Sequence, residues 1–512
     1  MNWRHAVSTW ILLSLSGCAS VNFDYPKTES YTLAAGPDSY LSKRVADLFQ
    51  GGPGESGFLE LDDGVDALAA RYVLSARAEK SIDAMYFVIK ADAAGSLFIM
   101  SLLEAADRGV RVRVLVDDAH LGSYTRGVAA LDGHPNVEIR IFNPFARSLP
   151  RWWNAVTDFR RINRRMHNKA FIVDGQVGIV GGRNVASEYF GARPDVVFVD
   201  SDFGCVGPVV DELTDMFDSY WNHRTAVPVA ALVKEPDDHA EELEGVRNRL
   251  SSTQQQLSDG PFAKVLTNAV IDRVETADDE FIWTPYELLY DNPDKALKKR
   301  PEELEPLITP ELFSAADRIE KELLIISPYF VPRKAGLEML RNLRARDVRV
   351  IVVTNSLAST NQVLVHSGYA PVRKKLLNVG VELYEINPTA EELAQSRDDL
   401  SSGKGTLHGK VFVADRQRLF VGTFNFDPRS AYINTEMGVI IENPPLAEDW
   451  TTDVLAALPA NAYRLSLTDK GALRWNGTED GEEVTRKREP ETGFWKRFGV
   501  NILKILPIKD QL

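Results

Sequence analysis

Residues 166–184 read MHNKAFIVDGQVGIVGGRN, with His167, Lys169 and Asp174 ahead of Gly181, Gly182 and Asn184. The apolar alternation around Phe171 and Val173 predicts a β-strand, whose side chains alternate between faces with a period of two. His167 and Lys169 then point the same way and can grip one anionic group. Asp174 has the opposite parity and completes the motif near the strand's end, where supporting local structure suits it better than touching the same ligand. The paired glycines let a backbone turn approach whatever the His/Lys pair holds, and Asn184 adds a neutral donor. These residue types describe a phosphate site that needs no metal.

A lone histidine on an apolar strand is more often a hydrogen-bonded core residue than a catalyst. Here the motif recurs. Residues 407–425 read LHGKVFVADRQRLFVGTFN, repeating the spacing with His408, Lys410 and Asp415, then Gly422 and Asn425. The chain has only 8 histidines in 512 residues, so a chance repeat is rare. The repetition extends further: VRVRVLVDD from Val110 answers to VRVIVVTN from Val348, VEIRIFNP from Val137 to VELYEINP from Val381, and YFV at Tyr86 to YFV at Tyr329. These displacements are 238, 244 and 243 residues, against 241 for the histidines. The order and scale indicate an internal duplication. Each half alternates short apolar runs with helical patterns such as SLFIMSLLEAADRG and AGLEMLRNLRARD, which predicts an α/β fold, a mixed sheet flanked by helices. Two such halves can pack about a pseudo-twofold axis and present both His/Lys pairs to one shared cleft.

Two opposed histidines suit displacement at phosphorus in two steps. One attacks to form a phosphohistidine while the other protonates the departing alcohol oxygen, then deprotonates the incoming alcohol or water. The catalytic set read from the two motifs is His167, Lys169, Asp174, His408, Lys410 and Asp415. Asn184 and Asn425, with the lysines, are expected to bind the non-bridging phosphate oxygens. An acidic residue recurs later in each half, Asp202 in DFGCVG and Glu436 in EMGVII. These two are expected to orient the histidines and favour their protonated form; acids at a strand start without catalytic contact are the alternative.

Paired His-x-Lys-x-x-x-x-Asp motifs, each followed by Gly-x-x-Asn, resemble the phospholipase D superfamily. The runs RRMHNKAFIVDG, VGGRN, SPYFVP, TNSLAS, VHSGYAPVRKKLL, GTFNFDPRS and NTEMG are similar to the bacterial cardiolipin synthases within it, a likeness running from about Phe58 to the C-terminus. The resemblance implies transfer of a phosphatidyl group to a hydroxyl of phosphatidylglycerol, with phosphatidylethanolamine or a second phosphatidylglycerol as donor. Motif position favours His167 as nucleophile and His408 as acid, and leaves the reverse assignment open. One departure is visible: Met85 stands before Tyr86 where relatives usually carry glutamine. A phospholipase D that hydrolyses lipids would use the same residues with water as acceptor. A superfamily nuclease and a non-catalytic membrane scaffold are the remaining classes.

The formal charge of −14 and pI near 5.2 disfavour a general nucleic-acid binder, so no nucleic-acid partner is expected. One local patch runs against that balance: between residues 146 and 169, Arg147, Arg151, Arg160, Arg161, Arg164 and Arg165 alternate with Trp152, Trp153 and Phe159. That mixture suits the interface of an anionic bilayer, or else a solvated loop. At the N-terminus, Arg4 precedes a short apolar run and Leu-Ser-Gly-Cys, which reads as a signal peptide whose ending resembles a bacterial lipobox. Cys18 would then be the lipidated first residue of a membrane-anchored envelope lipoprotein, the membrane left open. Cys205, the other cysteine, reads as a small core residue. The remaining histidines show no zinc spacing, and no metal or cofactor is expected. His366 sits on a helical face with Tyr369 and Arg373, suiting either a headgroup contact or a structural role.

The expected organisation is a signal peptide over residues 1–17, a tether over 18–57, the first half over 58–224, an acidic linker or surface helix over 225–260, the second half over 261–447 and an extension over 448–512. That extension ends in FWKRFGVNILKILPIK, where Phe494, Trp495, Phe498, Ile502, Ile505 and Leu506 recur at nearly helical intervals between basic residues. It reads as a membrane-surface helix or a last core helix.

Overall fold

The computed structural model describes residues 21–122, 125–147, 150–191, 196–234, 238–257, 280–298, 303–389, 404–479 and 481–503. The signal peptide, Cys18, Ile505 and Leu506 lie outside them. The two long apolar repeats become two large mixed sheets. The first has strand order Ile282–Thr284, Ser56–Leu61, Asp202–Val206, Val177–Gly181, Ala170–Val173, Ser81–Tyr86, Arg111–Asp117, Val137–Phe142 and Ala226–Pro228. The second has Tyr286–Tyr290, Met437–Ile441, Arg418–Gly422, Val411–Ala414, Glu322–Ile326, Arg349–Asn355, Glu382–Ile386, Ala462–Leu467, Leu473–Glu479 and Glu482–Arg486. From Ser56–Leu61 and from Tyr286–Tyr290 onward the two orders match strand for strand, through to Ala226–Pro228 and Ala462–Leu467.

The registers match as well. Ile82 opposes Val173 and Leu323 opposes Ala414; Arg113 opposes Glu138 and Ile351 opposes Glu382. The duplication read from the sequence is therefore a duplication of hydrogen-bond ladders, which fixes which side chains of the two halves correspond. In each half the three strands that run parallel are joined by helices, among them Ala93–Asp107 and Lys334–Ala345, as parallel connections require.

The inner faces of the sheets share one apolar core, with Phe58, Met85, Leu115 and Ile172 from the first half against Leu324, Ile351, Val413 and Val439 from the second. Met85 is fully buried there, an ordinary core side chain. Helices Pro208–Asn222 and Pro444–Asn461 contribute Val209, Leu213, Phe217, Leu446 and Leu458 to the same core. The two motifs are thereby brought edge to edge across the pseudo-twofold axis.

Three expected boundaries differ from what the ladders define. The tether is docked in part: Arg140 donates to the Thr28 carbonyl at 2.6 Å, Arg113 to the Ser30 carbonyl at 2.8 Å, and Ser81 to the Leu33 carbonyl at 2.8 Å. Arg113 also pairs with Asp83 and Asp218, each at 2.6 Å, so the segment covers buried charges that must be paired. The acidic stretch supplies the strand Ala226–Pro228 and the helix His239–Leu257, which buries Val246 in the first half's core and pairs Arg247 with Asp107. The second half does not end at 447, because Ala462–Leu467, Leu473–Glu479 and Glu482–Arg486 extend its sheet.

Candidate active site

His167 and Lys169 lie just ahead of the strand Ala170–Val173, and His408 and Lys410 just ahead of Val411–Ala414. Both segments are held by the opposite half. The His167 amide donates to the Thr435 carbonyl at 2.9 Å, and the Thr435 amide to the Arg165 carbonyl at 3.0 Å. In the mirror arrangement Lys404–Leu407 pairs in parallel with Val196–Val199, and the His408 amide donates to the Val199 carbonyl at 2.8 Å. A second brace recurs at the ends of equivalent strands. Asp117 accepts from the Met166 amide at 2.9 Å, and Asn355 accepts from the Leu407 amide at 3.0 Å, each amide one residue before a histidine.

The imidazoles are crossed between halves. His167 Nδ1 donates to Glu436 Oε2 at 2.7 Å, and His408 Nδ1 donates to Asp200 Oδ2 at 2.5 Å. A carboxylate only accepts, so Nδ1 carries the proton and Nε2 is left with a lone pair for chemistry. Glu436 also accepts from the hydroxyls of Thr423 at 2.5 Å and Ser430 at 2.7 Å, which fixes its position.

Asp200 takes the role expected of Asp202. Gly181 opposes Asp202 in one ladder and Gly422 opposes Gly438 in the other, so the counterpart of Glu436 lies two residues before Asp202. The matching DFG and EMG tripeptides are out of register by those two residues. Asp202 instead pairs with Arg71 at 2.7 Å, and Arg71 donates from Nε to the Tyr86 hydroxyl at 2.9 Å. Gly182 is needed for Asp200: a Cβ there would lie 2.1 Å from Asp200 Oδ1. Its counterpart Thr423 has a side chain and spends it on Glu436.

Asp174 and Asp415, grouped by motif with the catalytic residues, touch neither histidine. Asp174 accepts from the amides of Glu79, Lys80 and Ser81 at 2.9, 2.7 and 2.9 Å, and Asp415 from those of Glu320, Lys321 and Glu322 at 2.9, 2.6 and 2.9 Å. Both occupy hairpin turns at positive φ, 54° and 53°, the backbone region in which Asp is tolerated. The parity seen in the sequence separates them from the His/Lys pair for this reason: they staple the far end of the strand to the chain entering its neighbour.

Lys169 and Lys410 are buried, donating to the carbonyls of His167 and His408 respectively. Burial and the mutual repulsion of the two ammonium groups bring Lys169 down to about 7, and burial brings Lys410 down to about 8. Burial likewise lowers His167 to about 4, against the pull of Glu436, and His408 to about 3, with Lys410 adding to the effect. Each histidine feels both lysines, so the two motifs form a single electrostatic unit. Asp200 is held well below the usual carboxylate range: burial would raise it, but Lys410 and His408 outweigh that. Neutral imidazoles beside buried cations describe a site prepared for an anion that brings its own charge.

The asparagines are not equivalent. Asn184 accepts from the Val88 amide at 3.1 Å and donates at 2.8 Å to the Tyr189 hydroxyl, which lies 3.3 Å from His408 Nε2. Asn425 is also buried, and its side-chain oxygen has no partner among the described residues. Phe87 meets His167 edge-on at 5.1 Å and Phe198 stacks on His408 at 5.2 Å, giving the site apolar walls. The sequence reading missed Asp200, Asp117, Asn355, Tyr189, Phe87 and Phe198; the Asp117/Asn355 pair was already visible as aligned residues of the VRVRVLVDD and VRVIVVTN repeats.

Other singled-out residues fall elsewhere. His366 is buried with Arg373 at 2.9 Å and Glu489 at 3.4 Å, a structural role. The Cys205 thiol is buried in a strand and pushed up to about 12 by desolvation, so it is inert. Four of the six arginines before the first motif are consumed internally: Arg147 pairs with Asp118, Arg161 with Asp158, Arg165 with Asp117, and Arg164 donates to the Lys295 and Tyr432 carbonyls. Trp152 and Phe159 remain exposed.

A family model described as "Cardiolipin synthase, PLD-like domain" matches residues 74–221 and 311–456, one match to each half. The chain is 38% identical over 471 residues to cardiolipin synthase C of Escherichia coli K12, covering 92% of this chain and 99% of that one. It is 26% identical to cardiolipin synthase A of Pseudomonas syringae, over 78% of this chain and 67% of that protein. Among solved structures, the phosphatidylserine synthase of Haemophilus influenzae shares the fold with a TM-score of 0.56 at 12% identity, over 92% of this chain and 99% of that one. The fold and the paired motifs define a phospholipase D-type phosphatidyltransferase. The chain belongs to the cardiolipin synthase family of phospholipase D-like proteins.

Proposed function

We propose that this protein makes cardiolipin by transferring a phosphatidyl group to phosphatidylglycerol through a phosphohistidine intermediate. The observation that carries this reading is the crossed pair of carboxylate-held imidazoles, each with Nδ1 committed and Nε2 turned to chemistry. Nε2 of His167 attacks the donor's phosphorus. The bond to the headgroup oxygen breaks, and that oxygen takes a proton from Nε2 of His408. The hydroxyl of phosphatidylglycerol then gives its proton to the neutral His408 while its oxygen displaces His167 from phosphorus. The phosphodiester's negative charge favours the protonated form of His408 that the first step needs. Lys169, Lys410 and Asn425 hold the non-bridging oxygens, Asn184 holds Tyr189 beside His408, and Glu436 and Asp200 orient the imidazoles.

Phosphatidylglycerol serves as acceptor, and phosphatidylethanolamine or a second phosphatidylglycerol as donor, at the surface of an envelope membrane to which Cys18 anchors the chain. No helix among the described residues is long and apolar enough to cross a bilayer. Mass spectrometry of lipids formed by purified protein from phosphatidylglycerol, with and without phosphatidylethanolamine, tests the reaction. Cardiolipin formed by the parent and not by His167→Ala is the expected result. Phosphatidic acid without cardiolipin would make water the acceptor and the protein a phospholipase.

A further inference from the structure

The helix Phe494–Leu503 stands apart from the rest of the surface. Phe494, Trp495, Phe498 and Ile502 are 64%, 78%, 47% and 49% exposed, while Val500 on the opposite side is buried. The three aromatic rings touch one another, with centroids 5.3 to 6.1 Å apart, so they form one patch rather than scattered residues. The helix lies against Val363–Tyr369, and just before it Glu489 is locked to the buried Arg373 at 2.7 Å. It is therefore fixed to the body on one side and apolar on the other.

Charge identifies the occupant. Residues 486–512 carry seven Lys and Arg against three acids, in a chain whose net charge is −14. A second copy would bring this basic segment against itself, since a twofold contact apposes the same surface. An anionic surface with an apolar interior complements both the rings and the charge.

We propose that this face docks on an anionic phospholipid bilayer, with the rings at headgroup depth. The proposal rests on the reading of the substrate as membrane lipid and names where the membrane meets the protein. Residues 356–362, which lead into Val363–Tyr369, reach the brace of the second motif: the Ser359 hydroxyl donates to Asn355 Oδ1 at 3.0 Å, and the Ser359 carbonyl accepts from Thr406 at 2.9 Å. Docking through the tail thus seats the bilayer beside the strand Lys404–Leu407 that leads into His408, whereas four of the six arginines ahead of His167 already have partners within the fold.

The test uses the full chain carrying Cys18→Ser, so that no lipid anchor contributes, in flotation with phosphatidylglycerol/phosphatidylethanolamine vesicles and with phosphatidylcholine vesicles. Binding is expected to the anionic vesicles, to weaken in about 0.5 M salt, and to fall at least about tenfold in Trp495→Ser/Phe498→Ser. That variant should still turn over short-chain phosphatidylglycerol dispersed in detergent, which reports an intact fold. Unchanged flotation of the variant, or equal binding to phosphatidylcholine, would overturn the proposal. So would a dimer in lipid-free sedimentation that the substitutions dissolve. A fluorophore on Trp495→Cys, selective because Cys205 is buried, should shift blue on anionic vesicles; no shift would equally overturn it. Flotation with no cardiolipin formed would support docking while removing the reaction proposed above.

Discussion

Asp200 and Asp202 are two residues apart and both buried, yet only Asp200 touches a histidine. Substituting them separates catalysis from architecture. Asp200→Asn keeps the shape but no longer fixes the Nδ1–H tautomer of His408, so turnover of the folded protein should fall by about a hundredfold or more, beyond whatever stability is lost by leaving Lys410 without that carboxylate. Asp202→Asn leaves Arg71 as a buried cation without its partner, so it should lower the melting temperature with a much smaller effect on turnover at low temperature. Steady-state kinetics and calorimetry on the two purified variants distinguish these outcomes; equal losses of turnover would mean that Asp202 acts on the site as well.

At the level of elements, the terminal aspartate of each motif is a staple between a hairpin turn and the start of the neighbouring strand. Asp174→Ala or Asp415→Ala leaves three backbone amides without an acceptor and should cost about 2–3 kcal/mol of stability, read as a lower urea midpoint. Activity of the folded fraction should persist. The sequence made these elements legible because burial on both faces leaves near-continuous apolar runs and because the ladders repeat. The offsets of 238 and 244 residues coincide with the observed registers. The YFV pair at an offset of 243 does not, since Met85 opposes Ala170 and Ile326 opposes Val411, an offset of 241. Short identities such as YFV and DFG/EMG slide by two residues without changing face, so parity cannot catch the error. Nor could spacing reveal that each imidazole's acid comes from the other half, or that the arginines before His167 find partners within the fold. Both depend on contacts between residues distant in sequence.

For the whole molecule, the depressed histidines make stability depend on pH. In the unfolded chain they titrate near 6.5, but in the native protein near 4 and 3. Between these limits the unfolded state binds more protons, so their contribution is fully present above about pH 6.5 and is lost as pH falls toward 4. Urea midpoints should therefore fall across that window. The double variant His167→Asn/His408→Asn should show a slope shallower by about two protons, and an unchanged slope would mean that other groups carry the effect.

The crossed imidazole pairs also bear on how the two halves depend on each other. A single half holds a histidine and a lysine but takes the acid that orients that histidine from the other half, so neither half completes the site alone. Yet the halves differ around it, with Gly182 against Thr423, Tyr189 against Ser430 and Asp200 against Glu436. That difference gives one imidazole a phenol neighbour and the other none among the described residues, and so distinguishes the two imidazoles before any substrate binds.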